Sequence, residues 1–183
     1  TDALPFLFGA MKKIFPFVKG QIVVVHGDTM TTAAGAITGR LAGATVCHLE
    51  SGLRTGDVFN PFPEEISRII ADQLSQVHFA PTTRSEKVTG GETYLVGNTV
   101  IDSIKERRLK IKDEGFVLVS VHRQENIRKK QIMEKIVEKI VEEGKKRKVI
   151  WILSQNTEKK LREYGLYEKV AASCQVMGLL PYE

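Results

Sequence analysis

The chain has 183 residues, and its 42% hydrophobic and 27% charged composition is typical of a soluble globular protein with one domain or two small ones. Its formal charge of +5 comes from 27 basic against 22 acidic residues, with much of the excess at 105–112 and 145–148. No aromatic residues interleave with those charges, which favours a solvated helical surface over a nucleic-acid interface; a polyanionic small ligand such as a nucleotide diphosphate suits the balance equally well.

Cysteine usage and hydropathy indicate the compartment. The two cysteines, Cys47 and Cys174, belong to no CxxC or metal-type spacing, which favours a reduced, cytoplasmic environment. The N-terminal sequence TDALPFLFGAMKKIF lacks the charged segment and apolar core of a signal peptide, and no apolar run is long enough to span a bilayer. We therefore expect neither secretion nor membrane insertion.

Short apolar runs alternate with segments of helical period along the chain. In the first half, strands are predicted at 22–25, 45–49, 77–80 and 94–96, with helices at 31–41, 64–74 and 81–88. In the second half, strands are predicted at 116–121, 149–153 and 175–177, with helices at 131–143 and 158–164. The helix at 131–143 is the most regular, because its apolar residues form one stripe at helical spacing.

This alternation predicts right-handed βαβ units with parallel sheets, and therefore an α/β fold. The polar, basic segment 105–115 is the best candidate for a domain boundary, and it separates a domain at 1–105 from one at 106–183. A doubly wound domain usually has about five or six strands, and each half here shows fewer. We therefore expect both domains to be incomplete relative to a full two-domain protein.

Three acidic residues stand where an apolar strand gives way to a loop or helix. They are Asp28 in VVVHGDTMTT, Glu50 in HLESGLRTGD and Glu64 in FNPFPEEISR. Ligands of open parallel sheets bind outside the carboxyl ends of the strands, so this placement is typical of an active site. Structural alternatives remain open: Asp28 could cap the helix that follows it. Glu50 could pair with Arg54 on a surface loop, and Glu64 could form an i,i+4 ion pair with Arg68.

His122 ends the predicted strand FVLVSV, and Arg123 follows it. A histidine and an arginine beside the start of a helix could contact a phosphate oxygen. Three other histidines, His26, His48 and His78, also lie near strand ends. We interpret His48 and His78 as residues that pack within the sheet.

Taken together and in this order, VVVHGDTMTT, HLESGLRTGDVFNPFPEEISR, HFAPT, VGNTVIDS and SVHRQEN resemble the non-hydrolysing UDP-N-acetylglucosamine 2-epimerase family. The resemblance covers residues 21–183. It implies two Rossmann-like domains of the glycosyltransferase-B type, the first on the sugar side and the second on the UDP side. It also implies a cytoplasmic homodimer that binds UDP-GlcNAc and UDP and needs neither a metal nor a nicotinamide cofactor.

The family reaction converts UDP-GlcNAc reversibly into UDP-ManNAc by elimination of UDP and its re-addition to a glycal. Such chemistry requires a base for the weakly acidic proton at C2, an acid for its return and stabilisation of the departing diphosphate. The resemblance implies catalytic roles for Asp28, Glu50, Glu64 and His122, the last of these at the diphosphate. The substrate-binding residues that it implies are Arg68, Arg123, Met177 and Tyr182, of which Met177 and Tyr182 would contact the uracil.

Some features depart from the family pattern. His26 and Ser51 stand where related sequences often carry Gln and Ala, and SQNT at 154–157 replaces a His-Pro-x-Thr pattern. The family's GTRPE-like strand and its SGG…EE region are absent, so we expect the chain as given to bind UDP poorly and to be inactive by itself. The alternatives are a hydrolysing relative that releases UDP and free ManNAc, a non-catalytic binding or assembly module, and a glycosyltransferase of the same fold.

Overall fold

The computed structural model describes residues 3–107 and 113–181. The chain divides into two compact units, Thr1–Leu109 and Lys110–Glu183. Each unit contains a parallel β-sheet whose strands are connected by helices, in agreement with the predicted α/β alternation. Within the described ranges, no helix combines the length and the apolar character that a membrane crossing requires.

The sheet of the first unit has four parallel strands, and each strand pairs with the next one along the chain. The strands are β1 (Ile22–His26), β2 (Thr45–Leu49), β3 (Val77–Ala80) and β4 (Glu92–Leu95). In the register of β1 and β2, Val25 lies beside His48 and His26 beside Leu49. The segments that follow these two strands therefore leave the sheet at neighbouring positions on its carboxyl edge.

The helices described in the first unit are α1 (Ala3–Val18), α2 (Met30–Leu41), α3 (Glu64–Leu74), α4 (Thr83–Glu86) and α5 (Thr99–Glu106). Thr29 is the N-cap of α2, and its hydroxyl accepts a hydrogen bond from the backbone N–H of Thr32 at 3.3 Å. The Thr32 hydroxyl donates in turn to the carbonyl of His26 at 2.6 Å. These two bonds fix the start of α2 against the end of β1.

Small residues allow α2 to lie close to the sheet. A Cβ atom at Gly35 would come within 2.9 Å of Val25, and one at Gly39 within 2.9 Å of Val46. The core of this unit is correspondingly compact, since Val46 and Ala36 are completely buried. The close contact of α2 with β1 and β2 makes the carboxyl edge of the sheet a rigid support for side chains.

The second unit has a three-stranded parallel sheet with its own core. Its strands are β5 (Val117–Ser120), β6 (Val149–Ile152) and β7 (Gln175–Met177), and its described helices are α6 (Gln124–Ile127), α7 (Lys130–Gly144), α8 (Gln155–Glu163) and α9 (Tyr167–Ala171). Trp151 is completely buried at the centre of the sheet. The predicted apolar stripe of α7 is confirmed, because Met133, Val137 and Ile140 are buried in this core.

The helix predictions were incomplete. The helix predicted at 81–88 is a short helix, Thr83–Glu86, capped by Thr82 and followed by a turn at 87–88. Helices α5, α6 and α9 were not predicted, and neither was α1. Its apolar residues do not form a single buried stripe, since Phe6, Phe8 and Phe17 are all exposed.

Candidate active site

Asp28 lies in the turn between β1 and α2. Gly27, which precedes it, has φ of +74°, a left-handed backbone conformation that glycine adopts without steric cost. The predicted alternative, that Asp28 caps α2, is wrong because Thr29 occupies the cap position and its hydroxyl accepts the N–H bond. The Asp28 carboxylate instead forms an ion pair with the guanidinium of Arg68.

Arg68 connects two carboxylates across the carboxyl edge of the sheet. One guanidinium nitrogen, Nη2, faces Asp28, and the other, Nη1, donates to Oε2 of Glu65 at 2.9 Å. The predicted i,i+4 pair of Glu64 with Arg68 is therefore wrong, since Arg68 pairs at i−3 with Glu65 instead. Glu65 is only 1% exposed and also accepts the backbone N–H of Thr55 at 3.0 Å, which ties the loop after β2 to α3.

Glu50 directly follows β2 and has φ of +62°, the only described non-glycine residue with a positive φ. Its carboxylate Oε1 lies 3.3 Å from Nε2 of His26, at the end of the neighbouring strand. The predicted alternative of a Glu50–Arg54 pair is wrong, because Arg54 forms a 2.6 Å ion pair with the buried Asp72. The Glu50 carboxylate thus lies at the site edge with His26, and a Cβ on Gly27 would lie 3.9 Å from its Oε2.

Glu64 is the first residue of α3, directly after Pro63. Its Oε2 atom is buried and, among the described residues, has no hydrogen-bond partner. A buried carboxylate oxygen without a donor is unfavourable, and it is available to the hydroxyl or proton of a ligand. Carboxylate oxygens that can accept hydrogen bonds therefore lie at the end of β1 (Asp28), at the end of β2 (Glu50) and at the start of α3 (Glu64).

The buried histidines differ from each other. His78 is completely buried, and neither ring nitrogen has a hydrogen-bond partner among the described residues, which fits the prediction that it packs within the sheet. Burial lowers the pKa of His78, with the nearby Asp72 acting in the opposite direction. His48 does more than pack, because its Nδ1 contacts Asp72 at 2.5 Å and its Nε2 contacts the carbonyl of Gly27 at 2.8 Å.

Sequence reasoning did not identify Asp72 as part of this region. Asp72 is 6% exposed, and it lies seven residues after Glu65 and four after Arg68 on α3. Charged residues at this helical spacing share one face, and that recurrence was the signal in the sequence. Elsewhere in the described ranges, and here too, no group of three His, Cys, Asp or Glu side chains is arranged to hold a metal ion.

The remaining predicted residues belong to the second unit. His122 is exposed just beyond β5 and lines an open pocket of about 500 Å³ together with Ser120, Ser154 and Asn156. Arg123 is exposed and lies 3.8 Å from Glu125. In β7, the carbonyl of Met177 accepts the N–H of Leu153 at 2.8 Å. The predicted residue Tyr182 lies outside the described residues.

The SQNT segment forms the start of α8. The Ser154 hydroxyl accepts the backbone N–H of Thr157 at 3.3 Å, and the Thr157 hydroxyl donates to the carbonyl of Val121 at 2.7 Å. This arrangement repeats the one at the start of α2, where Thr29 and Thr32 make the same pair of contacts with β1. In both units, the first turn of a helix is thus bonded to the carboxyl end of a strand, β1 for α2 and β5 for α8.

A family model described as UDP-N-acetylglucosamine 2-epimerase matches residues 7–182. The UDP-N-acetylglucosamine 2-epimerase of Methanocaldococcus jannaschii is 31% identical over 193 residues, which cover 93% of this chain and 52% of that protein. A crystal structure of a UDP-GlcNAc 2-epimerase from the same organism, in complex with UDP-GlcNAc and UDP, has a TM-score of 0.80 at 29% identity and covers 96% of this chain and 54% of its own.

A second similar structure is the UDP-GlcNAc 2-epimerase of Neisseria meningitidis bound to UDP-GlcNAc. Its TM-score is 0.76 at 26% identity, and the match covers 96% of this chain and 53% of that one. The chain therefore spans about half the length of the relatives it matches. The predicted fold class is confirmed: α/β, with two Rossmann-like units of the glycosyltransferase-B type.

Proposed function

Because the chain belongs to the UDP-N-acetylglucosamine 2-epimerase family, we propose that the whole protein is a non-hydrolysing isomerase that interconverts UDP-GlcNAc and UDP-ManNAc. The observation that carries this proposal is that Asp28 and Glu50 follow paired strands of one parallel sheet, and that the Arg68–Asp28 ion pair brings α3, which begins at Glu64, to the same edge. The similar structures that contain bound UDP-GlcNAc support the choice of substrate.

Epimerisation at C2 requires removal of a weakly acidic proton from one face of the sugar and its return to the other. Carboxylates from different segments can lie on both sides of one carbon, which a single side chain cannot do. We propose that Asp28, Glu50 and Glu64 share these proton transfers. The unpartnered Oε2 of Glu64 supports a direct contact with the sugar, and the Arg68 contact to Asp28 supports a role for Arg68 in orienting that carboxylate.

The second unit would supply the groups for the nucleotide. Elimination leaves negative charge on the departing diphosphate, which a histidine and an arginine stabilise. We propose that His122 acts at this position and that Arg123 binds the same phosphates, with Met177 and Tyr182 at the uracil. The open pocket beside His122 supports this assignment. In these terms residues 1–105 form the sugar-side domain and residues 106–183 the UDP-side domain.

The function is tested by proton NMR of UDP-GlcNAc in D₂O with the full-length protein. Deuterium at C2 together with UDP-ManNAc is the expected result. Free ManNAc with UDP would indicate the hydrolysing relative, and an unchanged spectrum would refute both reactions for this substrate and leave a binding module as the better reading.

Matched variants separate the site from the rest of the protein. Glu64→Gln and Asp28→Asn should each slow C2 exchange by at least about 100-fold, since each removes a group that accepts or returns a proton. The control is Glu158→Gln, which breaks only an exposed 2.7 Å ion pair with Arg162 on α8 and should leave the rate unchanged. Equal losses in all three variants would contradict the assignment.

We also propose that the whole protein is a cytoplasmic homodimer. The location is supported by the two cysteines, which are both free. The dimer is the assembly that the resemblance implies. Light scattering of the full-length protein measures its mass directly, and a monomer at working concentration would exclude the proposed assembly.

A further inference from the structure

Asp72 lies in the last part of α3 and is almost completely buried, and both of its carboxylate oxygens have partners. Oδ1 lies 2.5 Å from Nδ1 of His48. Oδ2 accepts the backbone N–H of Gly52 at 3.0 Å and lies 2.6 Å from the Arg54 guanidinium. One carboxylate thus connects α3 with the carboxyl-terminal part of β2 and with the loop that follows β2.

His48 extends this connection to the turn that follows β1. It is completely buried in β2, and its Nε2 lies 2.8 Å from the carbonyl oxygen of Gly27. Both ring nitrogens therefore face oxygen atoms, and the two contacts are both hydrogen bonds only when each nitrogen carries a proton. Burial alone would raise the pKa of the Asp72 carboxyl, but the bonds and charges of His48 and Arg54 outweigh it and hold that pKa below its ordinary value.

The three segments joined in this way are the ones that carry the acidic residues of the site. Gly27 directly precedes Asp28, Gly52 follows Glu50 by two residues, and Asp72 belongs to the helix that Glu64 begins. The loop at Gly52 has no room to move towards α4, since a Cβ there would lie 2.1 Å from the carbonyl oxygen of Ser85. The connection is therefore rigid at its loop end.

Stability does not explain a pair of this kind. The cost of removing two charges from water offsets most of their attraction, and apolar replacements of buried ion pairs are often neutral or stabilising. A hydrogen-bonded pair does fix direction and distance, which an apolar contact does not. We therefore expect the His48–Asp72 contact to fix the relative positions of the segments that it joins.

We propose that His48 and Asp72 are positioning residues that hold Asp28, Glu50 and Glu64 at fixed distances from one another. The proposal rests on the proposed function, because its kinetic consequence is read in the epimerase reaction. Both side chains are buried, and neither belongs to the three acidic residues of the site. They act through the Gly27 carbonyl and the Gly52 N–H, and a displacement of about 1 Å in a reacting group can cost on the order of 100-fold in rate.

Two substitutions of His48 each remove one of its two hydrogen bonds and keep the other. The amide nitrogen of asparagine occupies the place of Nδ1, so His48→Asn keeps a donor to Asp72 and removes the one to Gly27. The amide nitrogen of glutamine occupies the place of Nε2, so His48→Gln keeps the donor to Gly27 and removes the one to Asp72. Val46→Ala is the control, since it opens the wholly buried core two residues away on the same strand and touches none of these groups.

The first measurement needs no substrate. In ¹⁵N-labelled full-length protein, both ring nitrogens of His48 should carry protons. His48→Asn should move the backbone amide signal of Asp28, whereas Val46→Ala should leave it in place. A His48 ring with one protonated nitrogen, or an Asp28 signal that is indifferent to His48→Asn, would overturn the proposal.

The second measurement is the rate of C2 exchange. Both His48 variants should lower kcat by about 10- to 100-fold with KM changed by less than about threefold, because the carboxylates are displaced while the nucleotide contacts remain. Val46→Ala should keep the wild-type kcat even where it lowers Tm as much as the His48 variants do. If the His48 variants lose activity only as far as Val46→Ala does, their role is structural and the proposal fails. If the wild type converts no UDP-GlcNAc, the proposed function fails, and the NMR signals still decide the positioning.

Discussion

Glu50 combines a proposed catalytic role with a backbone conformation that a residue bearing a Cβ adopts at a cost. Its φ of +62° lies in the left-handed region. A folded protein retains such a residue only where the surrounding structure imposes the conformation, as at many functional sites. We therefore predict that Glu50→Gly gives a more stable protein than Glu50→Ala, although both are inactive.

The magnitude follows from two opposing terms. A left-handed backbone costs an L-residue with a side chain about 1–2 kcal/mol, which glycine avoids. Glycine gives back about 0.5–1 kcal/mol through its greater freedom in the unfolded chain. The contact of Glu50 with His26 is lost equally in both variants, and His26 is 57% exposed, so this loss is small. The free energy of unfolding should thus be about 0.5–1 kcal/mol higher for Glu50→Gly than for Glu50→Ala.

Urea unfolding of the two full-length variants measures this difference, provided that their m-values agree. Glu50→Gln is the companion control, because it keeps the side-chain volume and the strain and removes only the charge. It should resemble Glu50→Ala in stability and should lack C2 exchange. A Glu50→Gly protein that is no more stable than Glu50→Ala would refute the claim of strain, and an active Glu50→Gln protein would refute the catalytic role.

Three further predictions concern the ion pairs and the second core. Arg68→Met should lower the free energy of unfolding by about 3 kcal/mol, because it leaves the buried Glu65 unpaired. Adding Glu65→Gln should recover much of this loss, as measured by urea titration. If the double variant recovers nothing, the Arg68–Glu65 pairing is contradicted. Because the folded-state pKa of Asp72 is lowered by His48 and Arg54 against the opposing effect of burial, its contribution is present above about pH 4 and is lost as the pH falls through the folded value. The stability difference between wild type and Asp72→Asn should therefore shrink in that acid range, and a pH-independent difference would be evidence against it. Leu161→Ala, at a wholly buried position, should cost about 2–5 kcal/mol by thermal unfolding, and a loss below about 1 kcal/mol would contradict tight packing there.

The strands and the principal helices could be predicted because each is a local pattern. An apolar run such as IVVV followed by Gly27 and Asp28 indicates a strand end with a charged residue beyond it, whatever the rest of the fold. The same reasoning located Glu50. Helix α1 could not be found in this way, since its exposed phenylalanines obscure the periodicity on which the prediction depends.

The partners of the acidic residues could not be predicted, because they depend on distance in space. Asp28 and Arg68 are forty residues apart, and His48 and Asp72 are twenty-four apart. Local spacing favoured Glu64 as the partner of Arg68, and the fold selected Glu65 and Asp28 instead. Local reasoning also placed His48 in the packing of the sheet, because its two acceptors belong to other segments.

The amphipathic pattern of helix α3 was easy to recognise in the sequence, but the direction in which its charged face points was not. An amphipathic helix usually turns its apolar face to the core and its charged face to water. Here Ile66 and Ile70 line an apolar pocket of about 310 Å³ with residues of α1 and α2, while Glu65, Arg68 and Asp72 on another face are also removed from solvent. Charges that recur at helical spacing in the helix directly after a charged, glycine-rich loop therefore indicate a buried polar face. If the proposed positioning role is right, substitutions on that face should alter the rate more than the binding of substrate.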